Sequence, residues 1–143
     1  MSETQQTRIH ATSISWQGRA ALLLGPSASG KSSVALHMMA LGCELIADDQ
    51  CDITVRDQSL FVSCPPQISG QIEARNFGLL TCRAGNPAPL ACAVDLGIAE
   101  DKRLPDARAI ELCNQSLRLF HNPGIEALPF ALIQYLKADI VAL

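Results

Sequence analysis

Eight residues, Gly25-Pro26-Ser27-Ala28-Ser29-Gly30-Lys31-Ser32, constrain this chain more than any others. They satisfy G-x-x-x-x-G-K-[ST], the pattern of a phosphate-binding loop. The flanks agree with it. Ala20-Ala21-Leu22-Leu23-Leu24 reads as a short buried strand, and Ser33 to Leu41 reads as a helix. A strand entering a glycine loop that opens a helix turns backbone N–H groups inward as an anion nest. The helix N-terminus adds partial positive charge to that nest. Lys31 is then placed to reach the β- and γ-phosphates, and the Ser32 hydroxyl to ligate Mg²⁺. The competing reading is a glycine-rich strand–helix turn that binds nothing.

Length and composition bound the rest. A chain of 143 residues is expected to form a single domain over 1–143 with a sizeable core. At 48% hydrophobic and 17% charged residues it is globular rather than disordered. A net charge of −3 leaves no basic stripe for nucleic acid, and an aromatic content of 4% leaves no base-stacking platform. The six cysteines (Cys43, Cys51, Cys64, Cys82, Cys92, Cys113) form no C-x-x-C pair and read as small hydrophobes, not as a zinc site. No apolar run reaches membrane-spanning length, and the polar start carries no signal-peptide core. A cytoplasmic protein with reduced thiols and no membrane partner is the expectation.

Along the chain, Met1 to Gln6 reads as a loose start. Thr7–Trp16 alternates and reads as one strand, which forms a hairpin with Ala20–Leu24 and brings His10 toward the phosphate loop. The helix Lys31–Leu41 stops at Gly42, and its methionines read as core filling. Strands follow at Cys43–Ala47, Asp52–Arg56 and Leu60–Ser63, and Pro65-Pro66 breaks the ladder. Short apolar pieces lie between Ile68 and Arg83. Asn86 to Pro89 reads as a turn, Leu90–Leu96 as a buried strand and Gly97–Arg108 as a mobile charged loop. Ala109–Cys113 and Ser116–Phe120 read as strands. A last helix spans about Ile125–Ala138, with Leu128, Leu132, Ile133 and Leu136 on one face. Strands outnumber helices, so the expected class is a β-rich α/β P-loop core with one P-loop helix and one C-terminal helix.

Outside the loop, a few residues are candidates for chemistry. Asp48-Asp49 ends a strand behind the helix, where a carboxylate serves Mg²⁺ or takes a proton from an attacking hydroxyl. Adjacent carboxylates on extended backbone point to different sides, so the two are expected to differ in role. A polar turn is the plainer reading. Glu73 and Arg75 alternate and read either as a solvated ion pair or as metal and phosphate contacts. His10 alone reads as a hydrogen-bonded strand residue, and Lys102-Arg103 as a solvated charge run.

Taken in order, these pieces resemble the catalytic C-terminal domain of HPr kinase/phosphorylase, in the short form without a regulatory N-terminal domain. The resemblance covers roughly residues 8–104. It is carried by Arg8-Ile9-His10, by the loop GPSASGKS, by Leu45-Ile46-Ala47-Asp48-Asp49 and by Gly70-Gln71-Ile72-Glu73-Ala74-Arg75-Asn76-Phe77-Gly78. It implies a P-loop core of the phosphoenolpyruvate-carboxykinase-like type. It also implies transfer of phosphate from ATP, with Mg²⁺, to a serine of HPr, the phosphocarrier of the sugar phosphotransferase system, and the reverse phosphorolysis in many members. By resemblance Asp49 is the general base, Glu73 the second magnesium ligand beside Ser32, His10 an active-site histidine, and Arg103 a loop arginine that stabilises the transferring phosphoryl group. Three departures stand out. Ala28 and Asn76 occupy positions where the family has glycine, and the later segment tied to dephosphorylation has no counterpart near Leu117–Gly124. A homo-oligomer is compatible with the resemblance. The alternative reading is a non-catalytic nucleotide-binding sensor or regulatory module on the same core.

Overall fold

A strand made of the apolar run Ala20 to Leu24 needs cover on both faces. The computed structural model, which describes residues 5–138, provides it. The strands in chain order are β1 (Gln6–His10), β2 (Thr12–Trp16), β3 (Arg19–Leu24), β4 (Glu44–Ala47), β5 (Gln50–Arg56), β6 (Ser59–Ser63), β7 (Gln71–Ala74), β8 (Gly78–Thr81), β9 (Ala88–Ala99), β10 (Arg108–Leu112) and β11 (Gln115–Asn122). The helices are α1 (Lys31–Ala40) and α2 (Leu128–Ala138). The main sheet runs β1-β5-β6-β9-β3-β2-β4, and β11 joins it along β9 while pairing with β10. Strands β7 and β8 form a separate hairpin.

β3 lies between β2, its antiparallel hairpin partner, and β9, which runs parallel to it. Its side chains alternate between two cores. Ala21 and Leu23 join Ile14, Cys92 and Val94 beneath Val34 and Met38 of α1 and Leu128, Leu132 and Leu136 of α2. Ala20 and Leu22 face the other way, against Ile46, Cys51, Ile53, Val62 and Leu117. The β1-β5-β6 strands thus curl over one face of the sheet while the helices cover the other. The C-terminus of α2 is held by Arg19, whose guanidinium donates to the carbonyls of Tyr135 (3.1 Å) and Leu136 (2.9 Å), two of the carbonyls a helix end leaves without partners.

Several predicted boundaries move. The single strand expected over Thr7–Trp16 is two strands that break at Ala11. β1 pairs with β5, whereas β2 pairs with β3 and β4, so only β2 makes the hairpin with β3. Ala11 is fully buried and its N–H donates to the Asp49 carbonyl at 3.2 Å, which draws the backbone out of one ladder and into the next. The buried strand is longer than Leu90–Leu96. It takes in Ala88 and Pro89, which pair with β6, and runs on to Ala99, which pairs with Asn122. The charged loop therefore begins at Glu100. Helix α2 begins at Leu128 rather than Ile125, because Ala127 and Leu128 both donate to the Gly124 carbonyl in a preceding turn. That puts Pro129 in the first turn, where a missing N–H is harmless. α1 ends one residue early, and Gly42 follows at φ +111 with Cys43 N donating to Met38 O, the left-handed helix stop. The loose start predicted for Met1 to Gln6 lies in part, at residues 1–4, outside the described residues; Gln6 opens β1. Among the described residues no helix is long and apolar enough to cross a membrane.

Candidate active site

The loop between β3 and α1 folds tightly on itself. Gly25 sits at φ +137, and a Cβ there would lie 2.8 Å from Ser29 Oγ and 3.2 Å from Gly97 N, so no side chain fits. Ala28 adopts the left-handed conformation at φ +68. An L-residue is strained there, which makes the alanine a real departure from the glycine of the resembled pattern. Lys31 is 6% exposed, and its Nζ donates to the carbonyls of Gly25 (2.7 Å) and Pro26 (3.0 Å). Its ammonium therefore lies across the loop. The Ser29 hydroxyl is buried behind the loop with no hydrogen-bond partner among the described residues.

The loop forms one wall of a cleft of about 290 Å³. Ser27, Ala28, Gly30, Lys31, Ser32 and Ser33 line it from one side, and His10, Thr12, Asp48, Asp49, Glu73 and Arg75 from the other. The two adjacent carboxylates diverge, but not along extended backbone: both lie in the bend after β4, and Asp49 is left-handed. Asp48 is buried at 8% exposure and accepts three hydrogen bonds. Ser32 Oγ donates at 2.7 Å and Thr12 Oγ1 at 2.9 Å to one oxygen, and Glu73 N donates at 3.1 Å to the other. Asp49 is the more open of the pair and lies at φ +75, a sparsely populated conformation for a residue with a side chain. His10 Nε2–H donates to its carboxylate at 2.8 Å. The break at Ala11 makes this arrangement. It sends His10 outward from β1 toward Asp49, and Thr12 inward from β2 toward Asp48.

Glu73 reaches the cleft from β7 and Arg75 from the turn after it, where Asn76 takes φ +62. Asparagine tolerates that region better than most residues, so the substitution for glycine is mild here. Arg103 is not among the residues lining the cleft. It lies exposed in the loop 100–107, which two ion pairs brace, Glu100–Arg108 at 2.6 Å and Lys102–Asp106 at 2.8 Å. Burial opposes ionisation of Glu100, but hydrogen bonds from the Lys102 N–H and the Arg108 guanidinium hold its carboxyl below the ordinary range. Among the described residues no three His, Cys, Asp or Glu side chains converge as a metal cage. The Ser32–Asp48 pair nevertheless offers a hydroxyl and a carboxylate side by side, the donor set suited to a cation that keeps several waters and shares phosphate oxygens.

The family model for the HPr Serine kinase C-terminal domain matches residues 2–85. The chain belongs to this family. The matched stretch contains every residue lining the cleft, from His10 to Arg75, and stops short of Arg103. Curated relatives include an HPr kinase/phosphorylase from Clostridium botulinum, 36% identical over 75 residues, and one from Clostridium kluyveri, 35% identical over 79 residues. These alignments take in 52% and 55% of this chain but only 25% and 26% of the relatives, so the chain spans about a quarter of their length. A solved structure of the Hpr(Ser) kinase/phosphatase from Coxiella burnetii superposes with a TM-score of 0.77 at 18% identity, covering 92% of this chain and 94% of that one. The likeness shows a shared mixed α/β fold with a curled sheet and two helices.

Two members of the site were not assigned from the sequence. Thr12 carried no signal, because a threonine in a β-rich run is ordinary. Asp48 was visible as half of a pair, but nothing in a dipeptide tells which carboxylate turns inward. The reversal at Asp49 decides that, and it depends on contacts made across the sheet.

Proposed function

We propose that the chain is an ATP- and Mg²⁺-dependent protein-serine kinase acting on HPr, on a P-loop core of the phosphoenolpyruvate-carboxykinase-like type. The observation that carries the reading is the placement of the His10–Asp49 pair across one cleft from Lys31 and Ser32. Nucleotide phosphates would lie in the loop. Lys31 would leave the Gly25 and Pro26 carbonyls to meet their charge, and Ser32 with Asp48 would hold the metal, Glu73 adding a second carboxylate. The bound Mg²⁺ would neutralise charge on the β- and γ-phosphates. Asp49 faces the open side of the cleft, where an acceptor serine would enter. As the serine oxygen bonds to the γ-phosphorus and the bond to the β-phosphate oxygen breaks, the serine proton passes to the Asp49 carboxylate. His10 orients that carboxylate from behind. In the reverse direction the same carboxyl would return the proton. Arg103 would reach the transferring phosphoryl only through movement of the loop 100–107. A cytoplasmic location fits an HPr acceptor.

The second reading, a nucleotide-binding sensor without transfer, is favoured by the strained Ala28 and by the position of Arg103 outside the cleft. The experiment that separates the two uses the purified chain, γ-labelled ATP, Mg²⁺ and HPr. Serine labelling by the wild type, lost in Lys31→Ala and in Asp49→Asn while Asp49→Asn still binds nucleotide, supports the kinase. Tight nucleotide binding without labelling assigns the sensor. Wild-type transfer by Asp49→Asn removes Asp49 from the role of base.

A further inference from the structure

The hairpin β5–β6 turns on Asp57 (φ +49) and Gln58 (φ +65), a two-residue loop with both central residues left-handed, which is a type I′ turn. In such a hairpin the pair that closes the loop, Arg56 and Ser59, exchanges backbone hydrogen bonds. Pairs then alternate between hydrogen-bonded and non-hydrogen-bonded along the ladder. Asp52↔Ser63 is the last registered pair and falls in the hydrogen-bonded class. Strand β6 ends at Ser63, and extending the register by one step sets Cys51 against Cys64 in the non-hydrogen-bonded class, in keeping with the nearness of Cys64 that raises the Cys51 thiol.

The same assignment follows from β1. Val55 N donates to Gln5 O at 3.1 Å, so the odd-numbered residues of β5 turn their backbone groups toward β1 and away from β6. Side chains of a directly opposed non-hydrogen-bonded pair lie on one face with Cα atoms about 4.5 Å apart. A disulfide spans Cα separations of about 4.4–6.8 Å. The shared face is the buried one. Cys51 follows Ile53 into the core on β5, and Cys64 follows Leu60 and Val62 on β6. Cys51 is fully buried, whereas Cys64 is half-buried at the end of the strand. The Cys51 thiol donates to the Ala11 carbonyl at 3.3 Å, and Ala11 is the residue at which β1 gives way to β2, between His10 and Thr12.

We propose that Cys51 and Cys64 form an oxidisable cysteine pair that closes to a cross-strand disulfide next to Ala11, at the break between β1 and β2. The oxidant is hydrogen peroxide. The accessible Cys64 sulfur attacks one peroxide oxygen, the O–O bond breaks, and one water leaves behind a sulfenic acid at Cys64. The Cys51 sulfur then attacks the Cys64 sulfur, the S–S bond forms, the S–O bond breaks, and the oxygen departs as a second water with the Cys51 proton. Two thiols thus lose two electrons and two protons, and one peroxide becomes two waters. Burial, and for Cys51 the neighbouring Cys64, push both thiols above the ordinary range, so attack on the peroxide runs through a small thiolate fraction and is slow, and only the closing step depends on the two sulfurs being opposed. Closing the bond removes the S–H that the Ala11 carbonyl accepts. The amides around Ala11 lose part of their anchoring, and with them the His10 and Thr12 arms of the site.

The test is a thiol map of the full chain after hydrogen peroxide treatment, alkylation and proteolysis without reductant, together with amide hydrogen exchange. The expected result is a Cys51–Cys64 linked peptide that dithiothreitol resolves, absent in Cys64→Ala, with exchange of the amides at residues 10–12 at least threefold faster in the oxidised protein. The map is read on the wild type, so it holds even if a variant fails to fold. A Cys64–Cys82 linkage, or Cys64 oxidised to the sulfinic acid with Cys51 still free, overturns the pairing. A Cys51–Cys64 bond with unchanged exchange at residues 10–12 overturns its coupling to the site.

Discussion

Replacing Thr12 by valine tests how the inward carboxylate is held. The side chain is fully buried and donates to Asp48 Oδ1 at 2.9 Å, and valine keeps its shape while deleting the donor. A hydrogen bond to a charged group contributes about 1.5–3 kcal/mol net. The methyl that replaces the hydroxyl returns up to about 0.8 kcal/mol of burial. The net loss is then about 1–2 kcal/mol. With an unfolding entropy of roughly 2 cal/mol/K per residue over 143 residues, this lowers Tm by about 3–7 °C. Urea unfolding followed by the fluorescence of Trp16, the single tryptophan and the last residue of the same strand, measures it directly. A cycle with Asp48→Ala isolates the pair. In that background the Thr12→Val cost should fall to about 0.5 kcal/mol or less, because the acceptor is gone. An equal cost in both backgrounds, or no cost in either, would refute the claim that Thr12 acts through Asp48.

Three further outcomes follow from the same structure. Ala28→Gly should raise stability by about 0.5–1 kcal/mol, because relief of left-handed strain exceeds the added freedom of the unfolded chain, and a lower urea midpoint would contradict the assigned backbone. Leu132→Ala, at a 3% exposed site between α2 and the sheet, should cost about 2–5 kcal/mol in the same assay. The Glu100 carboxyl is held below its ordinary range, so what it contributes is present above the unfolded-state value and is lost as pH falls through the folded one. The protection factors of the loop 100–107 amides, exchange corrected for the intrinsic rate at each pH, should therefore fall on acidification below that ordinary range, and Arg108→Gln should lower them already at neutral pH.

The loop between β3 and α1 was legible because its pattern is local: two glycines, a lysine and a serine at fixed spacing between a strand and a helix. What escaped was set at a distance. Nothing in Ile9-His10-Ala11-Thr12 marks a break, since the break exists to give the Ala11 N–H its bond to Asp49, 38 residues on. The length of β9 was hidden because Gly97 read as a loop opener. It is instead a close approach, where a Cβ would lie 3.1 Å from Pro26 Cδ. Divergent roles for Asp48 and Asp49 could be argued from strand geometry, but which carboxylate faces Ser32 follows from the left-handed Asp49, and asparagine or glycine would have signalled that more clearly than aspartate does.

The parallel pairing of β3 with β9 has a consequence for how the chain acquires its structure. β2 and β3 meet across a two-residue turn and can zip within microseconds. On its other edge, β3 waits for a partner about seventy residues downstream, Ala20 against Leu90 and Leu24 against Asp95. Closing so long a loop is entropically costly and slow, and until it happens the strand leading into residues 25–32 has one edge unpaired. During synthesis, residues 25–32 emerge well before β9 does. The cleft is thus among the last regions to become rigid, and a chain stalled before β9 would present Ala20–Leu24 as an apolar template for pairing with other chains.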